Sequence, residues 1–219
     1  FVELNIRSCR NVFGEETPIL ISDDRSNESG RIACLAERYG CGYYCSDERR
    51  MHFCGDVQSF LNSLVFARQM GADVAVKVSQ RLILMNPEIK HVAERYLSED
   101  GIDMACPGGP HPLMICGVKW FSKLKYLTDV VFMNAHRLDP HWLKDQYEEH
   151  WKTGTRPIDS IVEIFVADLE SKGRIKVAKF EELTNHSLKY GKWFHRRYMS
   201  QPVEYRKSAQ ALGLDGYYQ

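Results

Sequence analysis

The chain has 219 residues, of which 44% are apolar, and these values are typical of a folded globular protein and exclude a disordered one. Its 29 basic side chains balance its 29 acidic ones, so no net field attracts nucleic acid, and we expect no nucleic-acid partner. No apolar run reaches the roughly 20 residues that a membrane-spanning helix needs, so we expect no transmembrane segment in this chain.

Strands are predicted at four places in the first half of the chain. Residues 1–8 alternate apolar and polar side chains, as a half-buried strand does, and residues 17–24 form an apolar run typical of a buried parallel strand. Residues 41–47 predict a third strand. Residues 74–84 predict one continuous strand that contains a polar segment at residues 79–81. Because helices are predicted between the last three of these strands, the pattern indicates a parallel sheet with helical crossovers.

The first of these helices spans residues 28–40 and ends at Gly40, and the second spans 56–73 with Asp56 as its cap. After Pro87 the pattern becomes mixed. It predicts a helix at 88–97, a Gly/Pro-rich loop at 106–112 and then short strand-like pieces. A later helix is predicted to end at Gly173, and another strand follows it.

The seven cysteines form an odd set without a signal-peptide pattern, which favours reduced thiols and a cytoplasmic location. Membrane association through segments outside this chain is left open. One cluster invites a zinc interpretation: Cys34, Cys41, Cys45, His52 and Cys54. Because this cluster contains no Cys-x-x-Cys pair, buried structural cysteines are favoured over a zinc site.

Polar clusters follow three of the predicted strands. They are Arg7 with Ser8, residues 22–26, and residues 79–81. Ligands bind beyond the carboxyl ends of strands in open parallel sheets, so these clusters predict a binding site. For Asp23 and Asp24 the alternative is a plain strand-to-helix turn with an Asx cap.

Two segments, ILISDDRSNES and SFLNSLVFARQMGADVAVKVSQRLIL, resemble the GT-A glycosyltransferases, especially the family 2-like group. Asp23, Asp24 and Ser26 match the Asp-Asp-x-Ser motif that contacts the base and ribose of the nucleotide-sugar in that family. Gly71, Ala72 and Asp73 match the start of the second motif. The Asp-x-Asp that holds a divalent cation is replaced by Ser79, Gln80 and Arg81.

The resemblance covers residues 1–87 well and the rest loosely. It implies an α/β GT-A fold, with a Rossmann-like, mostly parallel central sheet flanked by helices and a mixed, loop-rich acceptor half. The chain would be one domain, 1–219, with a nucleotide-sugar-binding half at 1–87, an acceptor-binding half at 88–202 and a tail at 203–219. A start at Phe1 and a weakly patterned tail indicate part of a longer multidomain protein.

The missing Asp-x-Asp matters because a leaving diphosphate builds negative charge that must be stabilised. In one strand Lys77, Ser79 and Arg81 share a face, so Lys77 and Arg81 can supply fixed positive charge, and no metal is required. The family also brings a late basic or histidine residue to the diphosphate, here His195. The alternatives are that Arg81 pairs with a surface carboxylate, or that Asp23 or Asp24 holds Mn²⁺ or Mg²⁺ with His195.

An inverting transferase needs a base for the acceptor hydroxyl. The family places it at the start of a helix in the second half, where this chain offers Asp159 and Glu163. Asp159 is preferred on family position, although it can equally be a helix cap. Glu163 lies in an apolar segment that can raise its pKa. A structural role for either is the alternative.

The resemblance therefore implies transfer of a sugar from a nucleotide-sugar to a glycan, lipid or protein acceptor, with inversion. One alternative is a non-catalytic GT-A-like domain that binds nucleotide or glycan, or positions a partner. Another alternative is a nucleotidyltransferase, which would be expected to carry a Gly-rich phosphate-binding loop near the first strand. The segment at that place, RSCRNVFG, is not such a loop.

Overall fold

A computed structural model describes most of the first half of the chain and short parts of the second. The described residues are 2–49, 51–78, 82–84, 86–99, 101–107, 118–123, 166, 169–180, 194–196, 207, 210, 211 and 213. They form both helices and strands, so the mixed α and β character predicted from the sequence is confirmed. Within these ranges no helix is long and apolar enough to cross a membrane.

Four helices can be bounded: α1 Val2–Phe13, α2 Ser29–Arg38, α3 Met51–Gln69 and α4 Glu88–Ser98. The predictions of α2 and α4 are confirmed. Ala36 of α2 is buried, and Gly40 follows α2 with a φ of 60°, the left-handed conformation in which helices commonly end. Phe60 and Leu64, predicted on the apolar face of α3, are both buried.

Eight strands are bounded: β1 Leu20–Asp23, β2 Gly42–Cys45, β3 Val74–Val78, β4 Leu82–Leu84, β5 Met104–Pro107, β6 Val118–Lys123, β7 Val177–Phe180 and β8 Phe194–Arg196. β1 and β2 form a parallel pair, as predicted. A second sheet has the order β3-β6-β5-β7, in which β5 and β7 are parallel and the other pairs antiparallel. β4 pairs antiparallel with β8. Among the described residues the strands thus form three small sheets.

The first strand predicted from the sequence is wrong, because residues 2–13 form helix α1. The alternation over the first eight residues is also part of a longer helical pattern, with Val2, Ile6, Cys9 and Phe13 on one stripe. α1 packs against β4 and α4 and also contacts α2. Because this tertiary packing buries more than one side of the helix, apolar side chains occur on several of its faces. Over residues 1–8 alone they therefore alternate with polar ones, as they do in a strand.

The continuous strand predicted at residues 74–84 is also wrong. β3 pairs with β6, whereas β4 pairs with β8. The register of β3 slips between Lys77 and Val78, an irregularity of the β-bulge kind that ends strict alternation. The cap predicted at Asp56 is wrong as well, because α3 begins at Met51 and contains this position in its interior.

One hydrophobic core cluster among the described residues lies between α1, α4 and strands β4 and β5. Its buried members are Cys9, Val12, Leu84, Ile89, Ala93, Leu97, Ile102 and Ala105. α3 packs separately on β1 and on β3. The β1–β2 pair is therefore covered by α2 and α3, and its carboxyl end carries the acidic turn described next.

Candidate functional site

The acidic turn lies at the carboxyl end of the parallel β1–β2 pair. Asp23 is the last residue of β1 and is in register with Cys45, the last residue of β2. The Ser46 amide donates a 2.9 Å hydrogen bond to the Asp23 carbonyl, which extends the pairing by one residue. Residues 23–29 then lead into α2. This is the position at which parallel strands present ligand-binding loops.

The carboxylate of Asp23 accepts hydrogen bonds from within the turn. Its Oδ1 lies 3.0 Å from the Ser26 amide nitrogen, and its Oδ2 lies 3.2 Å from the Ser26 hydroxyl. Burial by itself raises the pKa of Asp23, but hydrogen bonds from Ser29, Ser26 and Tyr43 outweigh it and hold that pKa below its usual value. Asp23 is therefore an ionised residue that closes the turn, as in the Asx-cap alternative.

Tyr43 completes this network and was not singled out from the sequence. Its hydroxyl lies 3.0 Å from Oδ2 of Asp23 and 3.1 Å from the Ser29 carbonyl oxygen. Tyr43 is in register with Ile21, and residues two apart along a strand share a face, so Tyr43 and Asp23 lie on the same side of the pair. Burial, with hydrogen bonds to Cys45 and Asp23, raises the pKa of Tyr43. The phenol therefore stays protonated.

Asp24 has different neighbours from Asp23. Its carboxyl group lies over the backbone of Gly55, a buried glycine of α3. Asp23 reaches the Tyr43 hydroxyl and the start of α2, so the two carboxylates are directed to different helices. The carboxyl groups of the two adjacent aspartates thus have different neighbours among the described residues.

Arg25 connects the two loops at this edge of the sheet. Its backbone φ is 51°, in the left-handed region that residues other than glycine rarely adopt. Its guanidinium donates to the carbonyl oxygen of Asp47, in the loop that follows β2. Ser26, the next residue, is half-buried and uses both its amide and its hydroxyl on Asp23. The Asp-Asp-x-Ser segment is therefore an ordered turn with an unusual backbone.

Arg7 and Ser8 lie in a helix and not at a strand end, so the position predicted for them after a first strand is wrong, whereas their predicted role in donor binding stays a prediction. Both are in α1, where the Ser8 hydroxyl donates to the Asn5 carbonyl oxygen at 2.9 Å. Arg7 donates to the Tyr39 hydroxyl at 2.9 Å and to Glu3 at 3.3 Å, and Tyr39 also donates to Glu3. Hydrogen bonding to Tyr39 raises the pKa of Arg7. These groups hold α1 against the end of α2.

Lys77 is half-buried in β3 and is in register with Trp120 of β6. The expectation that Lys77, Ser79 and Arg81 share one face assumed a continuous strand, which the structure does not contain. Ser79 and Arg81 lie outside the described residues, as do Asp159 and Glu163. His195 is in β8, where its backbone is in register with Ile83 of β4. These predicted roles stay predictions.

The cysteines differ in their exposure. Cys9 is buried, Cys41 and Cys45 are half-buried, and Cys34 is exposed, so the prediction of a buried cysteine is wrong for Cys34. This is because Cys34 faces outward from α2 while Ala36 faces inward. The side chains of His52 and Cys54 lie outside the described residues. No group of three or more histidine, cysteine, aspartate or glutamate residues suited to a metal occurs in the part of the chain that can be described.

Comparisons with protein-family models, with curated proteins and with solved structures found no match to this chain. The interpretation of the acidic turn therefore depends on its own residues and geometry.

Proposed function

We propose that this chain is a GT-A-like glycosyltransferase domain that transfers a sugar from a nucleotide-sugar to a glycan, lipid or protein acceptor, with inversion. The observation that carries the proposal is the Asp-Asp-x-Ser turn at the carboxyl end of a parallel strand pair. Resemblance and position agree here, because a loop at this edge is where an α/β sheet binds nucleotides. The central GT-A sheet and its division into donor and acceptor halves belong to the same proposal.

The backbone of the turn adds support. A left-handed non-glycine residue costs free energy, and such residues concentrate at ligand-binding segments. Arg25 adopts this conformation between Asp24 and Ser26, and its guanidinium bonds to the loop that follows β2. In the proposal, Asp23 holds the turn together and Asp24 contacts the nucleotide.

The remaining roles follow from the chemistry of the reaction. Lys77 and Arg81, assisted by Ser79 and His195, would stabilise the charge that develops on the leaving diphosphate. A base, Asp159 or Glu163, would accept the proton of the acceptor hydroxyl. No metal is required in this scheme. Mn²⁺ or Mg²⁺ bound through Asp23 or Asp24 is the alternative, and it makes donor binding sensitive to chelation.

A second candidate is a non-catalytic GT-A-like domain that binds a nucleotide or glycan, or positions a partner. Two observations favour it. The Asp23 carboxylate accepts hydrogen bonds from Ser26 and Tyr43 within the protein, as it would in a turn with a purely structural role. The β3 and β4 segments also belong to different sheets, which removes the single strand that would align the phosphate clamp.

A thermal-shift screen with nucleoside diphosphates and nucleotide-sugars, each in EDTA and in excess Mn²⁺, tests the proposal. A ligand that binds the folded state raises the unfolding midpoint by mass action. We expect one nucleotide to stabilise the protein equally in both conditions, and Asp24→Asn to abolish the effect. Glu37→Gln, which removes an exposed carboxylate of α2, is the matched control and should leave it unchanged.

Each other result has a definite meaning. Stabilisation only with Mn²⁺ would contradict the metal-free scheme and support cation binding at the turn. Stabilisation without sugar release from any nucleotide-sugar would support the non-catalytic domain. The absence of stabilisation by every nucleotide would rule out the donor site.

A further inference from the structure

The contact between Asp24 and α3 depends on the absence of a side chain at position 55. A Cβ atom built at Gly55 would lie 2.7 Å from both Cγ and Oδ2 of Asp24, and 3.1 Å from its Cβ. Real Cβ atoms essentially never lie this close, so a side chain at position 55 must displace Asp24 or the helix. The two atoms at 2.7 Å are the far end of the flexible Asp24 side chain, so displacement of Asp24 is the low-cost response. Gly55 is buried, which leaves the helix little space to retreat.

The φ of Gly55 does not explain why glycine is present. Position 55 is not among the glycines with positive φ and lies inside helix α3, where alanine is the better helix former. Glycine in a helix interior lowers stability unless another requirement outweighs the loss. The requirement visible here is space for the Asp24 carboxyl group.

We infer that Gly55 is a positioning residue, which lets the Asp24 carboxylate lie at the carboxyl end of β1 by leaving a gap in the surface of α3. In the sequence, residues 22–26 predict part of a ligand site and residues 56–73 predict a helix, with nothing to connect the two segments. The contact joins them, so the start of α3 becomes part of the candidate site. The ligand-binding half of this inference rests on the proposed function, whereas the steric half does not.

Glycine-to-alanine changes at two helical positions separate the steric effect from helix propensity. Gly30 lies in α2, where an added Cβ would meet nothing within 4 Å. Gly30→Ala should therefore raise the unfolding temperature by roughly 2 °C through helix propensity. Gly55→Ala should raise the unfolding temperature by less, because displacement of the Asp24 side chain offsets part of the same gain in propensity.

A double-mutant cycle then identifies Asp24 as the cause. Asp24→Ala removes Cγ and Oδ2, the two atoms at 2.7 Å, and leaves the Asp24 Cβ at 3.1 Å, which a shift of a few tenths of an ångström relieves. In that background Gly55→Ala should raise the unfolding temperature as much as Gly30→Ala does. If Gly55→Ala alone does not fold, recovery of the folded state in the double variant supports the same conclusion.

Nucleotide affinity distinguishes the two possible roles of Gly55, because a residue with a purely structural role would not change it. UDP, GDP, CDP and ADP are titrated below the unfolding range of each variant. For the nucleotide that binds the wild type, Gly55→Ala should lower the affinity at least tenfold, about as much as Asp24→Ala does. Gly30→Ala should leave that affinity unchanged. The two losses should not add in the double variant.

Three results would overturn the inference. They are an unfolding temperature that rises as much for Gly55→Ala as for Gly30→Ala, an effect of Gly55→Ala on the unfolding temperature that is the same with and without the Asp24 carboxylate, and an unchanged nucleotide affinity in Gly55→Ala. If the wild type binds none of the four nucleotides, the proposed function fails. The stability cycle would still decide whether Gly55 positions Asp24.

Discussion

The Tyr43 hydroxyl of β2 lies 3.0 Å from Oδ2 of Asp23, the last residue of the neighbouring parallel strand β1. This hydrogen bond joins the two strands at the edge where the sequence predicts a ligand site. It also gives Asp23 a structural role that its place in a ligand-binding motif does not reveal. Asp24, directed to α3, is the carboxylate on which the functional proposal depends.

Removal of the Tyr43 hydroxyl should weaken the turn. Tyr43→Phe leaves the Asp23 carboxylate without one of its donors, and we expect the free energy of unfolding to fall by about 1–2 kcal/mol. Urea denaturation monitored by circular dichroism measures this change. Tyr44→Phe alters the next residue of the strand, which lies on the opposite face, and should change stability by less than about 0.5 kcal/mol. Equal effects of both substitutions would contradict the assignment.

The Asp23 network should make stability depend on pH in the acid range. The pKa of Asp23 is lowered in the folded state, so its contribution is complete above the unfolded-state pKa, about 3.9. It is lost as the pH falls through the lower pKa of the folded protein. We expect the difference in unfolding free energy between wild type and Asp23→Asn to be roughly 1–3 kcal/mol at neutral pH and to shrink over this range.

Denaturation of both proteins at several pH values between neutrality and the acid limit measures that difference. Asp47→Asn is the control, because Asp47 is exposed and contributes its carbonyl oxygen, not its carboxylate, to the bond with Arg25. A difference for Asp23→Asn that grows as the pH falls would have the wrong sign and would show that Asp23 is not stabilised as an anion.

Arg7 should affect stability and not ligand binding. Arg7→Ala removes a cation hydrogen-bonded to Tyr39 and to the nearly buried Glu3, and we expect a loss of roughly 1–3 kcal/mol. Arg31→Ala breaks only a solvent-exposed ion pair with Glu28 and should cost less than about 0.5 kcal/mol. Both variants should retain the nucleotide-induced rise in unfolding temperature. Its selective loss in Arg7→Ala would restore this residue to the donor site.

The cysteines should differ in their reactivity toward alkylating agents. Burial raises the pKa of Cys9 to about 12, so its thiol is protonated as well as inaccessible, whereas Cys34 is exposed on α2. Iodoacetamide at neutral pH should label Cys34 in the folded protein and Cys9 only after unfolding. Peptide mass spectrometry with and without urea distinguishes the two. Early labelling of Cys9 would argue against the packing of α1.

The elements that the sequence predicted correctly have local signals. β1 is a short apolar run closed by carboxylates, and α2 is followed by Gly40, whose φ of 60° only glycine adopts readily. α4 likewise has one apolar face and a proline before it. In each case residues close in sequence determine the outcome.

The errors concern features that depend on distant contacts. The strand predicted at residues 1–8 is a helix because packing against β4, α4 and α2 decides which side chains are buried. The run from Val74 to Leu84 divides because β6 and β8 pair with different parts of it. Similarly, the contacts of Tyr43 with Asp23 and of Gly55 with Asp24 join residues with many others between them. Single-sequence periodicity carries no information on such pairs.

The most direct test of the central claim is to locate a bound nucleotide on the protein. Backbone amide shifts of ¹⁵N-labelled protein are followed by NMR as the stabilising nucleotide is added in the presence of EDTA. We expect the largest shifts at residues 23–29 and at Ser46 and Asp47, with the same titration leaving these amides unchanged in Asp24→Asn. Shifts confined to other parts of the chain, or none at saturating nucleotide, would contradict a nucleotide-sugar site at the Asp23–Ser26 turn.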